Sequence, residues 1–384
     1  MKQLKKIIKI GRFLRNGPGG ERIERSDDML VIRFPGKRSC LTTSWLNGGY
    51  RGDLTAVFNY RIPPSACESC HLPDGDVRSY LATIAGDHGL DPMKSAGLLT
   101  KAEMGNAAYA EESFRDLTVQ AIITGGIDVN GGRAGDPASY YETDGRFEPV
   151  GGTINTILLI SAALPEYAMA RALMTATEAK AAALQQIMGK SMYSAGIATG
   201  SGTDMIAVVS DPASPLCLSD AGKHSKLGEL IGKTVIRATL ATLERETGLS
   251  PDSQRDALVR LSRYRVTKED FWNMAAEAAG ADPSDLVNRE QFYYHLEQWT
   301  KRPVTVALVT AALHVVDEVE WGLIPKKDAG EAVARILQDG TGAGRFSSEN
   351  KTPLHCVIGV IADFIYRTSR RSPAQSRTKR KTNT

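Results

Sequence analysis

A histidine flanked by lysines is the best candidate for acid–base chemistry in this sequence. His224 lies in the stretch DAGKHSKLGELIG, between Lys223 and Lys226, where a helix is predicted to begin. The two lysines and the positive end of a helix disfavour an imidazolium ion, so we expect His224 to be neutral and able to accept a proton near neutral pH. The same positive groups would stabilise an oxyanion or a carboxylate, as acyl-group hydrolysis requires. A structural role for this single histidine also stays open.

Several carboxylates could orient such a base or take part themselves. Glu178 lies in a predicted helix, Asp204 follows a glycine- and threonine-rich loop, and Asp220 opens the stretch around His224. Glu229 is explained by a surface ion pair with lysines on its own helix face. Hydroxyl groups that could act as nucleophiles occur at Thr153, Thr199, Ser201 and Thr203. None lies in a G-x-S-x-G elbow, so the sequence does not indicate a serine hydrolase.

Glycine-marked segments surround these residues. They read SWLNGGYRGD, ITGGIDVNGGRAGDPA, IATGSGTD and DAGKHSKLGELIG. Each places glycines beside polar side chains at a predicted strand end or helix start, where layered α/β proteins bind ligands. The TGSGTD loop differs from a phosphate-binding Walker A loop and from a dinucleotide fingerprint, because a strand follows it. An anion-binding nest and a plain tight turn both stay open for this loop.

The elements that must position these residues can be read from periodicity. Strands are predicted at MLVIRF, SCLTTSWLNGGY, LTAVFNY, LTVQAIITGGI, TINTILLI and MIAVVS. Long helices are predicted for LPEYAMARALMTATEAKAAALQQIM and from an N-cap at Ser225 to about Thr247. Short helices are predicted at YLATIAGDHGL and in the segment before GLLTKAEM. We therefore expect an α/β or α+β fold in which a mixed β-sheet is layered with helices.

The composition and hydrophobic pattern of the sequence change near residue 250. Beyond Pro251 it becomes helical and polar-patterned, with aromatic clusters. We predict a domain over residues 1–248, a mainly helical accessory region over 249–366 and a basic disordered tail over 367–384. The formal charge of +3 is too small to indicate a nucleic-acid partner. For the basic tail, contact with an anionic surface stays open as an alternative to disorder.

The sequence gives little support for a disulfide-rich, haem-binding, metal-binding, membrane or secreted protein. The five cysteines do not form a disulfide framework in a chain of this length, and CESCH at residues 67–71, although it matches a haem-attachment pattern, is read as an ordinary loop. No metal-binding motif occurs. The apolar stretches are too short to span a bilayer, and the basic N-terminal segment lacks the features of a secretory signal. We expect no membrane span and a cytoplasmic protein.

Seven blocks follow one another over about the first 245 residues: LTTSWLNGG, GLLTKAEM, NGGRAGDPA, GGTINTILLI, TATEAKAAALQ, IATGSGTDMIAVV and AGKHSKLGELIG. Together these collinear blocks resemble the adenosylcobinamide amidohydrolase family of corrinoid salvage enzymes. The resemblance implies hydrolysis of the aminopropanol amide of adenosylcobinamide, a linear amide, to adenosylcobyric acid and 1-amino-2-propanol. It also implies that cobalt enters only with the corrinoid substrate and that no other cofactor is needed. The chain departs from the expected pattern at IDVNGG, before RAGD, and in about 140 C-terminal residues.

The physical argument, applied to these blocks, gives a set of expected site residues. The expected catalytic residues are His224 as general base, with Asp204 or Glu178 orienting it. The expected substrate-binding residues are Asn47, Gly48, Arg133, Asp136, Thr153, Asn155, Thr199, Thr203, Lys223 and Lys226. A variant mechanism makes Thr153 a nucleophile unmasked by cleavage after Gly152. Two other functions stay open: a corrinoid-binding protein without catalysis, and a nucleotide-dependent transferase that uses the TGSGTD loop. The oligomeric state cannot be read from the sequence.

Overall fold

The computed structural model describes residues 11–63, 76–138, 153–279, 288–342, 346–349 and 351–371. The chain divides into two compact units, Met1–Ser250 and Pro251–Thr384. The first unit contains strands and helices, and the second is helical in its described part. The fold is therefore a mixed α/β architecture with a helical C-terminal region.

Two mixed sheets build the first unit. The strands are β1 (Arg12–Asn16), β2 (Arg22–Arg25), β3 (Met29–Arg33), β4 (Ser39–Thr42), β5 (Gly49–Arg51), β6 (Ala56–Arg61), β7 (Ser95–Thr100), β8 (Ala108–Phe114), β9 (Leu117–Gly125), β10 (Gly131–Gly132), β11 (Ile154–Ile160), β12 (Gly200–Ser201) and β13 (Met205–Ser210). Within the described residues, sheet A has the order β1-β2-β3-β6-β7 and sheet B the order β5-β4-β13-β11-β9-β8, while β10 pairs with β12. Neighbours are antiparallel except β6 with β7 and β11 with β13.

The helices of the first unit are α1 (Val77–Asp87), α2 (Glu166–Gln186) and α3 (Lys226–Thr247). Those of the second unit are α4 (Ala257–Leu261), α5 (Lys268–Ala279), α6 (Arg289–Thr300), α7 (Pro303–Glu320), α8 (Lys326–Thr341) and α9 (Pro353–Arg371). Short 3₁₀ helices span Met104–Asn106 and Ser262–Tyr264. Ser225 caps α3 as predicted, because its hydroxyl accepts the N–H of Gly228.

Four layers of secondary structure enclose the core of the first unit. Apolar side chains of sheets A and B pack against each other, among them Ile32 and Leu98 from sheet A and Ile157 from sheet B. The other face of sheet B is covered by α2 and α3, and the other face of sheet A by α1. β11 is buried along its whole length because it has a neighbour on both edges and a layer on both faces. This position fixes the residues that directly precede β11 and β13.

The second unit has an apolar core of its own. Phe271, Phe292 and Leu296 are fully buried among aliphatic residues of α7, α8 and α9. A buried ion pair joins Arg263 to Asp317, with its Nη2 2.7 Å from Oδ2. The predicted helical character of this region is confirmed.

The structure corrects several local expectations. The segment before GLLTKAEM, predicted as a short helix, is a turn that leads into the buried strand β7 (Ser95–Thr100). The first residues of the predicted disordered tail, 367–371, are the end of α9, and the remainder lies outside the described residues. Part of the basic N-terminal segment forms β1, although its first ten residues are not described. The predicted short helix at YLATIAGDHGL is confirmed as α1.

Candidate active site

A cleft of about 740 Å³ opens where β11 and β13 begin. The two strands are parallel, with Asn155 opposite Met205, so just before them Ile154 lies beside Asp204 and Thr153 lies beside Thr203. The second half of α2 and the loops around β10 and β12 form the walls. Carboxyl ends of parallel strands are the usual ligand site, whereas this cleft lies at the amino ends. Its lining includes Gly132, Arg133, Asp136, Thr177, Glu178, Lys180, Tyr193, Thr199, Gly200, Ser201, Thr203 and Asp204.

An ion pair between Lys180 and Asp204 forms the polar centre of the cleft. Nζ of Lys180 contacts Oδ2 of Asp204, and the side chains are only 11% and 15% exposed. The other carboxylate oxygen, Oδ1, accepts the N–H of Ile154 at 2.8 Å and the hydroxyl of Ser201 at 2.6 Å. Gly200 allows the loop to close over this pair, since a Cβ there would lie 2.2 Å from Oδ2 of Asp204. The cleft therefore holds a fixed carboxylate next to a fixed ammonium group.

Hydroxyl groups surround this ion pair. Oγ1 of Thr153 and Oγ1 of Thr203 are 2.5 Å apart, and Ser201 bonds directly to Asp204. Such groups can both donate and accept hydrogen bonds, so they can hold a water molecule or a substrate carbonyl in a defined place. The loop that was considered as an anion nest is folded around the carboxylate of Asp204. The contacts of Ser201 and of Lys180 to this carboxylate favour the interpretation as a structured turn.

The rim of the cleft is formed by the segment after β10. The carboxylate of Asp136 accepts the N–H of Arg133 at 2.8 Å and the hydroxyl of Ser191 at 2.5 Å. Desolvation acts to raise the pKa of Asp136, but the hydrogen bonds from Ser191 and Ser194 and the charge of Arg133 outweigh it and keep this pKa below its ordinary value. Oγ1 of Thr199 accepts the N–H of Ala134 at 2.9 Å. The rim is therefore tied down by side chains that the sequence analysis assigned to substrate binding.

His224 lies in a second, adjoining groove of about 480 Å³. Glu178 lines both the groove and the cleft, and Thr175, Asp220 and Lys223 complete the neighbourhood of the histidine. The ring is exposed, in the turn just before the N-cap of α3. The structure thus brings Glu178, Lys223 and His224 together, and it places Asp204 in the neighbouring cleft.

The electrostatic expectation for His224 is altered by the structure. Lys223 is paired with Glu178, with 2.6 Å between Nζ and Oε2, and Lys226 is paired with Glu229. Each lysine therefore carries its positive charge next to a carboxylate. Both carboxylates that were expected to orient His224 contact lysines instead, Asp204 contacting Lys180 and Glu178 contacting Lys223.

Three of the expected substrate-binding residues have roles inside the fold. The side-chain amide of Asn47 donates to the carbonyl oxygens of Pro92 and Ser95, both at 2.8 Å. A Cβ on Gly48 would lie 2.0 Å from the carbonyl oxygen of Ser44, so only glycine fits there. Asn155 is 1% exposed within β11. The side-chain amide of Asn155 donates to Asn59 and to the carbonyl of Leu99, and its side-chain oxygen accepts the N–H of Met205. These bonds use the polar groups of Asn155 within the sheets.

Lys226 likewise contacts other residues of the fold. Its ammonium group pairs with Glu229 and lies 4.7 Å from the ring centroid of Phe114. Lys180, in contrast, was missed by the sequence analysis and lies in the centre of the cleft. The motif CESCH and Gly152, the residue after which cleavage was considered, lie outside the described residues.

None of the helices in the described ranges combines the length and apolar character needed to cross a membrane. No group of three or more His, Cys, Asp or Glu side chains in these ranges is arranged to hold a metal ion.

Comparison with known proteins gives a match over most of the first unit. The family model described as adenosylcobinamide amidohydrolase matches residues 16–251. An uncharacterized protein of Methanocaldococcus jannaschii is 35% identical over 226 residues, which are 56% of this chain and 85% of that protein. Two proteins named adenosylcobinamide amidohydrolase are also similar. The Halobacterium salinarum protein is 27% identical, with 60% of this chain and 90% of that protein covered, and the Methanosarcina mazei protein is 28% identical, with 57% and 95% covered.

Proposed function

The chain belongs to the adenosylcobinamide amidohydrolase family, and we propose that it hydrolyses the aminopropanol amide of adenosylcobinamide. The products would be adenosylcobyric acid and 1-amino-2-propanol, with the cobalt carried by the substrate throughout. The observation that carries this proposal is the match over residues 16–251, which includes every residue of the polar cleft. Two relatives bear the name of this activity, and they are similar to this chain over nearly their whole lengths.

The cleft contains groups suited to amide hydrolysis. A water molecule attacks the carbonyl carbon, its proton passes to a base, and the carbon–nitrogen bond breaks as the amine leaves with a proton. The negative charge that develops on the carbonyl oxygen needs a fixed positive group or donor nearby. In this proposal the ammonium group of Lys180 supplies that charge, and the carboxylate of Asp204 accepts the proton. The hydroxyls of Thr153 and Thr203 position the water.

His224 and Lys223 are assigned to the periphery of the substrate. The groove around His224 adjoins the cleft at Glu178, so a substrate with a large macrocycle and a reacting arm could occupy both. The sequence analysis favoured His224 as the base. The position of Asp204 favours the carboxylate, because it is fixed in the cleft beside the hydroxyls that position the water, whereas His224 is exposed in the adjoining groove.

The reaction is tested by incubating the full-length chain with adenosylcobinamide and measuring the mass of the corrinoid together with the free amine. Release of 1-amino-2-propanol and formation of the corrinoid acid are expected. Binding without release would identify a corrinoid-binding protein without catalysis. Thermal stabilisation by ATP or GTP, with no conversion of the corrinoid, would instead favour a nucleotide-dependent transferase.

The assignment of the base is tested by comparing two variants. We expect Asp204→Asn to lower kcat by about 100-fold or more, as losses of electrostatic or acid–base groups in active sites do. His224→Ala should retain most of kcat. The opposite pattern would return the role of base to His224.

A nucleophile at Thr153 released by cleavage predicts two fragments on a denaturing gel, and an intact, fully active chain excludes it.

A further inference from the structure

An exposed tryptophan is held on a rigid turn at the same edge of sheet B as the cleft. Trp45 is 44% exposed, while its neighbours Ser44 and Leu46 are buried. The backbone bends at Trp45, and the Ser44 hydroxyl fixes this bend, because it accepts the N–H of Leu46 at 3.0 Å and donates to the carbonyl oxygen of Gly97 at 2.6 Å. The turn after Trp45 is fixed by Asn47, which has φ 55° and bonds to the carbonyl oxygens of Pro92 and Ser95. The indole therefore faces outward on a backbone with little freedom to move.

The pairing of β4 with β13 places this tryptophan near the catalytic carboxylate. The N–H of Thr43 donates to the carbonyl oxygen of Ile206 at 3.0 Å, and the N–H of Ile206 donates to Oγ1 of Thr43 at 3.0 Å. Trp45 lies two residues beyond this pair on one strand, and Asp204 lies two residues beyond it on the other. Two residues span at most about 7 Å and paired Cα atoms about 5 Å, so the Cα atoms of Trp45 and Asp204 lie within about 20 Å of each other.

The chemistry of the substrate explains why an indole would lie there. The amide that is hydrolysed is on an arm of the corrinoid, so the macrocycle itself must rest beside the reacting cleft rather than inside it. The adenosyl ligand on the cobalt covers one face of the corrin ring, and the opposite face presents an apolar, polarizable surface that an aromatic side chain contacts favourably by stacking. Indole also loses little conformational freedom in such a contact, because it has only two side-chain torsions.

We propose that Trp45 is a substrate-binding residue that stacks against the corrin ring while an arm of the corrinoid reaches Asp204 and Lys180. This inference rests on the proposed function and extends it from the reacting bond to the recognition of the macrocycle. It also gives the block LTTSWLNGG a role: Asn47 and Gly48 shape the turn, and Trp45 makes the contact.

Steady-state kinetics with adenosylcobinamide test the stacking contact in the full-length chain. Trp45→Ala should raise KM about tenfold, equivalent to about 1.4 kcal/mol, with little change in kcat. Trp45→Phe should recover most of the affinity, because it retains an aromatic face. The matched control is Trp321→Ala in the second unit, where the tryptophan is 49% exposed and no effect is expected. Unchanged KM in Trp45→Ala would overturn the inference.

Fluorescence provides a second readout that does not depend on turnover. Corrinoids absorb where tryptophan emits, so a corrinoid stacked on an indole quenches it. Trp45 is the single tryptophan of residues 1–250, and the other three are in the second unit. Titration with adenosylcobinamide should quench the wild-type chain and Trp321→Phe alike, and Trp45→Phe much less. Equal quenching in all three chains would overturn the inference.

The two readouts separate failure of the inference from failure of the proposed function. A wild-type chain that is quenched through Trp45 without releasing the amine, and that binds adenosylcobinamide about tenfold less tightly as Trp45→Ala, would refute the hydrolase and support the stacking contact. A chain that releases the amine normally in Trp45→Ala would support the hydrolase and refute the contact. Thermal melting of the variants checks that a change in KM does not reflect loss of the fold, and Trp45→Phe repeats the test with a smaller change in volume.

Discussion

The pair of Lys180 and Asp204 couples stability to catalysis at the residue scale. Removing one partner of a nearly buried ion pair leaves the other charge without compensation, which costs about 3 kcal/mol or more. We therefore expect Lys180→Met to lower the free energy of unfolding by about this amount and to lower kcat by about 100-fold. Urea unfolding and turnover of adenosylcobinamide measure the two effects.

The double variant separates these two effects. Lys180→Met with Asp204→Asn leaves no uncompensated charge, so part of the lost stability should return while activity stays lost. Lys233→Met is the matched control, because Lys233 forms an exposed pair with Glu229 that is worth at most about 1 kcal/mol. Recovery of activity in the double variant would show that the ion pair only supports the fold.

Asp136 should make the contribution of the cleft rim to the stability of the fold depend on pH. Its folded-state pKa is depressed, so it contributes stability above its unfolded pKa of about 3.9, and that contribution is lost as the pH falls through the lower folded value. Asp136→Asn should therefore be less stable than the wild type at neutral pH, and the difference should shrink on acidification to about pH 3. Urea unfolding at both pH values measures this. Ser191→Ala should act in the same direction, and a difference that is independent of pH would contradict the argument.

Lys180 shows what residue patterns could have revealed. Ala176 and Leu184 are buried on the inward face of α2, and Lys180 lies four residues from each. A lysine in the middle of an apolar helical face has to find a counter-charge, which is a signal for a buried ion pair. The identity of the counter-charge could not be inferred, because the proximity of Asp204 depends on the layering of α2 on sheet B.

The turn after β4 provides a test at the scale of elements. Gly48→Ala forces a Cβ against the backbone of Ser44, which cannot move without breaking the turn, so we expect a loss of about 2 kcal/mol in the free energy of unfolding. Gly52→Ala, just after β5, is the matched control, because the nearest atom there is the flexible end of Lys37 at 3.9 Å. Equal stability of the two variants would contradict this account.

Elements with regular periodicity were predictable, and those defined by tertiary contacts were not. β11, α2, β13 and α3 follow clear strand and helix patterns, and the structure confirms all four. β7 was missed because its sequence, SAGLLT, is buried on both faces by α1 and sheet B and so shows no alternation. β1 was missed because its residues are mainly exposed and basic, and pairing with β2 defines it. The parallel pairing of β11 with β13, which brings Thr153 beside Thr203 and Ile154 beside Asp204, is likewise a long-range contact.

The candidate site shows the same division. The sequence analysis selected Asp204, Thr153 and Thr203 from glycine-rich segments, and the structure brings them together. It also selected Asn47, Gly48 and Asn155 from such segments, and these shape or fill the fold. Glycine-rich segments indicate tight backbone geometry, and this geometry serves turns as well as ligands. Only the register of β11 with β13 shows which of these segments lie at the cleft and which shape a turn.

At the scale of the whole molecule, the two units have separate apolar cores. The core of the second unit is made of residues between Ala257 and Tyr366, and the clusters of the first unit end at Leu249. The family match ends at residue 251, and the relatives are similar to this chain over 85% to 95% of their own lengths. The first unit therefore contains the candidate site and the layers that hold it.

These observations predict that a chain ending at Ser250 folds and retains the activity of the full-length chain. It keeps α3 complete, with the helix end at Thr247 and the packing of Leu249, and its length is within the range of single domains. Turnover of adenosylcobinamide and thermal melting measure the outcome. A chain ending at Lys233 is the control, since it loses the buried Val235, Ala238 and Leu243 and should not fold. If the chain ending at Ser250 folds but does not turn over the substrate, the second unit takes part in catalysis or binding, and the assignment of the site to the first unit alone is wrong.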